Sequence, residues 1–412
     1  MFNEPADENM NSLDEFAKQR VLMQADIAAS EKSYGVGGVL INLKTGAFIK
    51  EMHNTVIARD NDHEQSRLKD PTAHGERQLV DWYFMNKTEL NLPEPKDILL
   101  VTSLDPCLMC TGSTLSAGFN VIIVALDENA GINWDSTYRF NPLEGPVLNQ
   151  IKNNFIYPKV AGDPVRQGYG KVPLFTNPVL SQQVVEGCKN AFTSGANVAR
   201  SIVKDIVPYD KLLDLSMPTA PAHIIQALKA ECPDALAYKT RSKSKTPDEG
   251  LAQYLIAAAK EDIKNGGDGD AVAFIDPFGN LLMCKSGKKS ISPIRSAFME
   301  TVRAYQKVRY DLSKTSNTDL KYLCDPSFGT FVFVKGFDKS APSFTDFGAY
   351  GSTMLNAPMP ENLQYIIPRI DHNELLNYIG GMPKRYGNII KPVVVKDQNL
   401  VNRMKAALTN TP

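Results

Sequence analysis

Residues 70–76 read Asp-Pro-Thr-Ala-His-Gly-Glu, and residues 106–112 read Pro-Cys-Leu-Met-Cys-Thr-Gly. The second motif follows the apolar run 98–102, which is typical of a buried strand. Its Pro106-Cys107 step is typical of a helix start. A further helix is predicted to begin near His74 and to run past Trp82. The two motifs therefore place their polar side chains where two helices begin beside a sheet.

The segments around the two motifs continue this alternation of helices and strands. We predict a helix over 11–30, strands at 36–43 and 47–51, the helix from residue 74, a strand at 98–102, a helix to residue 117 and a strand at 121–126. Strands that alternate with helices indicate a layered α/β domain with at least one parallel strand pair.

The second half of the chain repeats this order in outline. We predict a helix over 249–264, strands at 271–275 and 280–283, a helix over 296–309 and a strand at 330–334. The segment Pro342 to Gly348 then aligns with Pro106 to Gly112, proline on proline and glycine on glycine. We interpret this as a duplication, although any two α/β layers resemble each other at this level.

The predicted organisation is therefore a catalytic domain over 1–205, a linker over 206–247 and a degenerate domain over 248–412. Four prolines and a basic, serine-containing run indicate the linker. No element is predicted for residues 361–412.

Composition excludes several classes of protein. The 412 residues carry 45 Lys and Arg against 46 Asp and Glu, so no global field attracts nucleic acid or an anionic membrane. No apolar run is long enough to cross a bilayer. Acidic residues stand where a secretory signal would have positive charge, and six cysteines are too few for a disulfide framework. We therefore expect a cytoplasmic protein without a membrane partner.

We predict that His74, Cys107 and Cys110 ligate a zinc ion. Zinc prefers imidazole and thiolate, and a catalytic zinc takes three protein ligands and keeps one position for water. Cys107 and Cys110, three residues apart where a helix starts, can reach one ion. Zinc lowers the pKa of bound water to about 7, so hydroxide becomes available. Glu76 is then the predicted proton shuttle.

Two other interpretations of the Cys-x-x-Cys pair are less favoured. A structural zinc site usually has a fourth ligand, but the remaining cysteines and histidines are isolated in the sequence. A thioredoxin-like redox pair would leave His74 and Glu76 without a role.

The two motifs resemble those of the cytidine and deoxycytidylate deaminase superfamily, in particular bacterial tRNA adenosine deaminases, guanine deaminases and fungal cytosine deaminases. The resemblance covers residues 11–135. It implies a three-layer α/β/α fold around a mixed five-stranded sheet and hydrolytic, zinc-dependent deamination of a purine or pyrimidine, with zinc hydroxide attacking the amino-bearing ring carbon. Gly75 stands where the family usually has alanine.

The resemblance also implies substrate-binding residues and an assembly. Asn54 matches an asparagine that hydrogen-bonds the base, and Asp135 lies where guanine-specific members carry acidic residues. Members of this branch work as dimers or larger assemblies, so the second half is expected to form an intramolecular pseudo-dimer with the first, and a further homo-oligomer stays open. The positions in the second half that correspond to the ligands form no zinc-binding set: Ser296, Phe298, Ser343 and Asp346.

The leading functional hypothesis is a deaminase of a small nucleobase, nucleoside or nucleotide, since the near-neutral charge favours a small substrate. The alternative is a tRNA adenosine deaminase whose inactive half binds RNA. The basic runs 239–245 and 384–385 could contact RNA phosphate, although solvated charges are the simpler interpretation. A third hypothesis is a binding protein that has kept its metal site and lost turnover.

Overall fold

The computed structural model describes residues 11–59, 66–127, 130–132, 145–203 and 207–409. The chain divides into two compact units. Unit 1 comprises Met1–Ile202 with the short segments Lys339–Ala349 and Gly380–Gly387. Unit 2 comprises Val203–Asp338, Tyr350–Ile379 and Asn388–Pro412. Two segments from the C-terminal half of the sequence are therefore built into unit 1.

Unit 1 contains a mixed five-stranded sheet in the order β2-β1-β5-β6-β7. Its strands are β1 (Gly37–Asn42), β2 (Phe48–His53), β5 (Ile98–Leu104), β6 (Asn120–Ala125) and β7 (Phe155–Ile156). Strand β1 is antiparallel to its two neighbours, β2 and β5, whereas the central β5 runs parallel to β6, and β6 to β7. The predicted parallel pair is thus β5 and β6. A separate hairpin of β3 (Ile57–Arg59) and β4 (Ser66–Leu68) lies in the connection between β2 and residue 74, where no element was predicted.

Helices cover both faces of this sheet. The unit 1 helices are α1 (Leu13–Phe16), a π-helical turn (Ala17–Leu22), α2 (Met23–Ser30), α3 (Gly75–Asn86), α4 (Leu108–Ala117), α5 (Pro146–Asn154) and α6 (Gln182–Val203). Side chains of α1 and α6 pack with Val39, Val101 and Ile122 on one face. On the other face, α3 packs on β1, β2 and α4, with Leu79 beside Gly38. The three-layer α/β/α fold is confirmed.

Arg166 ties the end of β6 to the chain that follows β7. Its side chain is buried, Nε donates to the carbonyl of Pro158 at 3.0 Å, and the two Nη atoms donate to the carbonyls of Ile123 and Val124. Removing this guanidinium would leave three buried carbonyls without that donor.

We therefore expect Arg166→Met to lower the free energy of unfolding by about 3 kcal/mol, because a hydrogen bond to a charged group contributes about 1.5–3 kcal/mol. Urea denaturation of the full chain measures the change. Lys159→Met, on an exposed neighbouring side chain, is the matched control and should stay within about 0.5 kcal/mol of the wild type. Equal midpoints for the two variants would contradict the role given to Arg166.

Unit 2 repeats the sheet of unit 1, with the strand order β12-β11-β10-β8-β9. Its strands are β8 (Ala271–Ile275), β9 (Leu281–Ser286), β10 (Thr330–Lys335), β11 (Leu363–Ile367) and β12 (Val393–Val394). The inner β8 is antiparallel to β9 and β10, and β10, β11 and β12 are parallel. When the strands are listed from the other edge, the order β9-β8-β10-β11-β12 matches β2-β1-β5-β6-β7, with the same strand directions. This agreement is what a duplication predicts.

The second half contributes seven α-helices to the described part of the chain: α7 (Ala222–Glu231), α8 (Ala252–Lys264), α9 (Ala297–Thr315), α10 (Ala341–Thr353), α11 (His372–Gly380), α12 (Lys384–Ile389) and α13 (Gln398–Thr409). In unit 2, α8 and α13 pack with one face of the sheet. Among the helices of the described residues, none combines the length and apolar character needed to cross a membrane.

Candidate metal centre and active site

His74 is the N-cap residue of α3. A tight turn precedes it, in which the Asp70 carboxylate accepts hydrogen bonds from the main-chain N–H of Thr72 at 2.8 Å and from its hydroxyl at 2.6 Å. The buried Arg77 donates to the Thr72 carbonyl at 2.7 Å and so fixes the same turn from within the helix. These bonds set the direction in which the His74 ring leaves the chain.

Cys107 and Cys110 lie at the start of α4. Cys107 is the N-cap residue and has an extended backbone, and Cys110 follows within the first turn. The helix ends at Gly118, whose φ of 76° is in the left-handed region that favours glycine. The two sulfurs lie at the same end of α4, and both are close to His74 Nδ1.

The three predicted ligands converge. His74 Nδ1 lies 3.5 Å from Cys107 Sγ and 3.6 Å from Cys110 Sγ, and all three donor atoms lie within 4.8 Å of one another. Tetrahedral zinc with Zn–N of about 2.05 Å and Zn–S of about 2.3 Å places nitrogen and sulfur about 3.6 Å apart. The spacing and chemistry of the donor set thus fit a zinc ion.

Glu76 lies beside this donor set and is almost fully buried, with 2% of its surface exposed. Its Oε2 lies 3.4 Å from Cys110 Sγ, and its Oε1 lies 3.2 Å from the Thr102 hydroxyl on β5. One carboxyl oxygen is therefore anchored by the sheet, and the other faces the ligands.

Burial and close packing shift the pKa values of these side chains. A hydrogen bond from Cys110 holds the pKa of Cys107 well below its usual value, and the His74 ring acts in the same direction against the effect of burial. Burial raises the pKa of Cys110, as does the nearby Cys107. Burial acts to lower the pKa of His74, but Cys107 and Glu76 together raise it above its usual value. Burial also raises the pKa of Glu76.

Asn54 presents a hydrogen-bond donor next to the ligands. It is buried, and its Oδ1 accepts the main-chain N–H of Gly75 at 2.6 Å. Because this bond fixes the orientation of the amide, Nδ2 points the other way, and it makes no hydrogen bond within the described part of the chain. The long connection after Asn54 thus leaves this side chain beside His74.

Gly75 has a packing role that the sequence did not reveal. A methyl group at this position would lie 3.1 Å from His53 Cα and 3.2 Å from the Met52 carbonyl oxygen. The start of α3 therefore approaches β2 more closely than an alanine would allow without a small displacement.

The sequence did not single out several residues that lie near the His-Cys-Cys cluster. Thr102 could have been noticed as a polar residue in an apolar strand. Tyr386 accepts a hydrogen bond from the main-chain N–H of Leu108, between the two cysteines, and Arg385 interacts electrostatically with Cys107. Residues so distant in sequence give no local signal of this proximity.

The remaining predicted positions lie elsewhere. Asp135 lies outside the described residues. Ser296 accepts the main-chain N–H of Met299 at 3.1 Å and so caps α9, and Phe298 stacks in the aromatic core of unit 2. Ser343 and Asp346 lie on α10. Within the described ranges, the one group of three or more such side chains close enough to share a metal ion is His74, Cys107 and Cys110.

Fold and site together define a three-layer α/β/α domain with a His-Cys-Cys cluster that could hold a metal ion. No protein-family model matches the chain. Cytosine deaminase of Candida albicans is 29% identical over 107 residues, which cover 26% of this chain and 65% of that protein. The match thus spans just under two thirds of that relative.

Two solved structures are also similar. One comes from studies of A-to-I editing by tRNA:A34 deaminases at the wobble position of transfer RNA, with 18% identity, a TM-score of 0.26 and coverage of 43% of this chain and 99% of the other. The other is guanine deaminase from Nitrosomonas europaea, with 15% identity, a TM-score of 0.27 and coverage of 46% and 91%. The resemblance to the cytidine deaminase-like superfamily is confirmed by the cytosine deaminase match.

Proposed function

We propose that this chain is a zinc-dependent deaminase that hydrolyses the exocyclic amino group of a purine or pyrimidine. The observation that carries the proposal is the convergence of His74, Cys107 and Cys110 at distances that suit zinc, with the Glu76 carboxyl 3.4 Å from Cys110 Sγ. The sequence similarity to a cytosine deaminase supports the same reaction class.

His74, Cys107 and Cys110 would hold the metal, one nitrogen and two sulfurs leaving a fourth position for water. When bound, zinc supplies the acidity that makes hydroxide available from water at neutral pH.

Glu76 moves the protons of the reaction. Its Oε2 faces the ligands, where it can accept a proton from the attacking water and deliver protons to a ring nitrogen and to the departing amine. The Thr102 hydroxyl holds Oε1, so the carboxyl keeps its orientation during these transfers. Water and the amino-bearing ring yield a carbonyl and ammonia.

Asn54 positions the ring. Its Oδ1 is already engaged by Gly75, so Nδ2 is the atom offered to a carbonyl oxygen or an unprotonated ring nitrogen of the substrate. A hydrogen bond at this point fixes the ring in its plane and brings the amino-bearing carbon towards the metal.

The test is ammonia release from a panel of free bases, nucleosides, nucleotides and tRNA. We expect treatment with 1,10-phenanthroline to lower the rate at least about 100-fold, because the metal supplies the nucleophile, and added zinc to restore it. Metal analysis should find zinc bound to the wild type and lost in His74→Ala and Cys110→Ala.

Cys284→Ser is the matched control, since this half-buried thiol lies outside the ligand set and should leave zinc content unchanged. Zinc binding that survives the double variant Cys107→Ala/Cys110→Ala would contradict the proposed ligands. A wild-type chain that binds zinc and releases no ammonia from any compound in the panel would contradict the proposed reaction.

A further inference from the structure

Gln78 is a side chain of α3 to which the proposed reaction gives no role. It lies one turn after the N-cap residue His74, whose carbonyl accepts the Gln78 main-chain N–H at 2.9 Å. Its half-buried side chain donates from Nε2 to the His53 carbonyl at 2.8 Å and to the Ala73 carbonyl at 3.1 Å. A primary amide has two N–H groups, and both are used here. The side chain therefore joins the end of β2 to the residue that precedes His74.

The oxygen of the same amide is bonded as well. Gln78 Oε1 accepts the Thr55 hydroxyl at 3.1 Å, and the Thr55 main-chain N–H donates to the Ala73 carbonyl at 2.9 Å. These partners fix the orientation of the amide, because a flipped amide would set its oxygen against two carbonyl oxygens. Gln78 thus holds both chain neighbours of Asn54 in place.

The segment that carries Asn54 is also fixed from its other side. The Asn54 main-chain N–H donates to the Val36 carbonyl at 2.9 Å. The His53 ring places Nδ1 2.8 Å from Oε1 of the buried Gln24 on α2, and Nε2 3.1 Å from Oε2 of Glu31 at the end of that helix. The chain before β1 and helix α2 therefore fix one side of the segment, and the amide from α3 fixes the other.

Unit 2 contains the same connection with a different side-chain pair. Its helix α9 follows the N-cap residue Ser296, so Glu300 holds the helix position that Gln78 holds in α3. The Lys288 main-chain N–H donates to the Arg295 carbonyl at 2.7 Å, and Lys288 Nζ lies 2.9 Å from Glu300 Oε2. Both halves therefore tie the chain after their second strand to a helix start through this position. The half with the His-Cys-Cys cluster does so with a neutral amide.

We propose that Gln78 is a positioning residue that sets Asn54 at the distance from His74 that the reaction needs. The inference rests on the proposed function, in which Asn54 binds the substrate ring and His74 binds the metal. The Gly75 N–H orients the Asn54 amide, and Gln78 places the backbone that carries it. A misplacement of about 1 Å can cost about 100-fold in rate, so a bond that sets this distance affects turnover through Asn54.

The kinetic test is a double-mutant cycle on the compound that releases ammonia fastest. It compares the wild type, Gln78→Met, Asn54→Ala and the double variant, with rates normalised to bound zinc. Methionine has nearly the length of glutamine and makes none of its three side-chain hydrogen bonds. We expect Gln78→Met to lower kcat about 10- to 100-fold with KM within about threefold, because Asn54 still binds the ring but at the wrong distance. In the Asn54→Ala background the same change should lower kcat/KM less than about twofold.

Two further variants separate positioning from folding. Gln78→Glu keeps the shape of the side chain and its contact with Thr55, but it sets a carboxylate against the two carbonyl oxygens, so it should lose as much activity as Gln78→Met. It replaces Gln78→Met in the cycle if that variant fails to fold. Gln183→Met, at an exposed glutamine of α6, is the matched control and should keep the wild-type kcat and KM.

Amide hydrogen exchange tests the same connection without turnover. The main-chain N–H groups of Thr55 and Gly75 are the reporters, since each donates across the two joined segments. Peptides that contain them should exchange about tenfold faster in Gln78→Met than in the wild type, because the lost hydrogen bonds hold both segments together. Peptides from β5 should keep their wild-type rates.

Wild-type exchange rates at the two reporters in Gln78→Met, or a wild-type kcat in both Gln78 variants, would overturn the inference. A loss of activity that adds in full to that of Asn54→Ala would show a structural role and overturn it as well. A wild type that binds zinc and releases no ammonia would refute the deaminase alone, and the exchange rates would then decide whether Gln78 positions Asn54. Ammonia release that is independent of Gln78 would refute the positioning role alone.

Discussion

Replacing Glu76 by glutamine is expected to lower the rate of ammonia release at least about 1,000-fold while zinc content stays unchanged. General acid–base catalysis by a positioned side chain contributes about 10²–10⁴-fold. Glu76 is the proposed carrier of every proton in the reaction, and glutamine has nearly the same shape but cannot accept and return a proton. Its amide can still contact Thr102, which lies 3.2 Å from Oε1, so the fold of the site should persist.

The measurement is steady-state ammonia release, with metal analysis and thermal unfolding of the same samples. Glu89→Gln is the matched control, because Glu89 is an exposed side chain beyond the end of α3, and it should keep the wild-type rate. A residual rate within tenfold of the wild type would show that another group carries the protons. An inactive wild type with zinc bound would instead favour the hypothesis of a binding protein without turnover.

The convergence of His74, Cys107 and Cys110 could be predicted because the sequence signals for it are local. His74, Cys107 and Cys110 each lie where a helix begins, and the strands before and after α4 are short apolar runs bounded by polar residues. The packing of α3 on α4 then brings the donor atoms together. Residue type, helix position and spacing were therefore sufficient to place Cys107 and Cys110 on one face and His74 opposite them.

The segments around the centre were not predictable in the same way. The β3–β4 hairpin consists of two three-residue strands in a polar stretch, too short to show an alternating pattern. Tyr386 lies far along the chain from Leu108, and its hydrogen bond arises from the fold alone. Nothing in the local sequence indicates that Tyr386 is buried. The adjoining basic run 384–385 was therefore interpreted as solvated, although Tyr386 itself is buried near Leu108.

The duplicated motif has a structural consequence that its alignment only suggested. Within unit 1, the aligned glycines Gly112 and Gly348 lie where α4 and α10 touch. A methyl group at Gly112 would lie 2.3 Å from the main-chain nitrogen of Thr345, and one at Gly348 would lie 1.8 Å from that of Met109. Met109 and Thr345 are themselves aligned in the two motifs, so the two contacts are equivalent. Neither glycine position has room for a side chain.

Gly348→Ala is accordingly expected to disrupt the metal centre without touching a ligand. The added methyl group would overlap the backbone of Met109, which lies between Cys107 and Cys110, so α4 must shift by more than an ångström. Overpacking of this kind costs about 3 kcal/mol, and zinc sites tolerate ligand displacements of only about 0.2 Å. We expect loss of zinc, loss of ammonia release and a lower melting temperature.

Gly380→Ala is the matched control, because a methyl group at the exposed end of α11 meets no atom within 4 Å. Gly380→Ala should keep the wild-type zinc content, activity and melting temperature. This control separates the effect of the steric contact at Gly348 from the effect of replacing any glycine by alanine. If Gly348→Ala fails to fold, Gly112→Ala offers a longer contact of 2.3 Å and a graded second measurement. Wild-type zinc affinity in both folded variants would show that the helix contact does not position the cysteines.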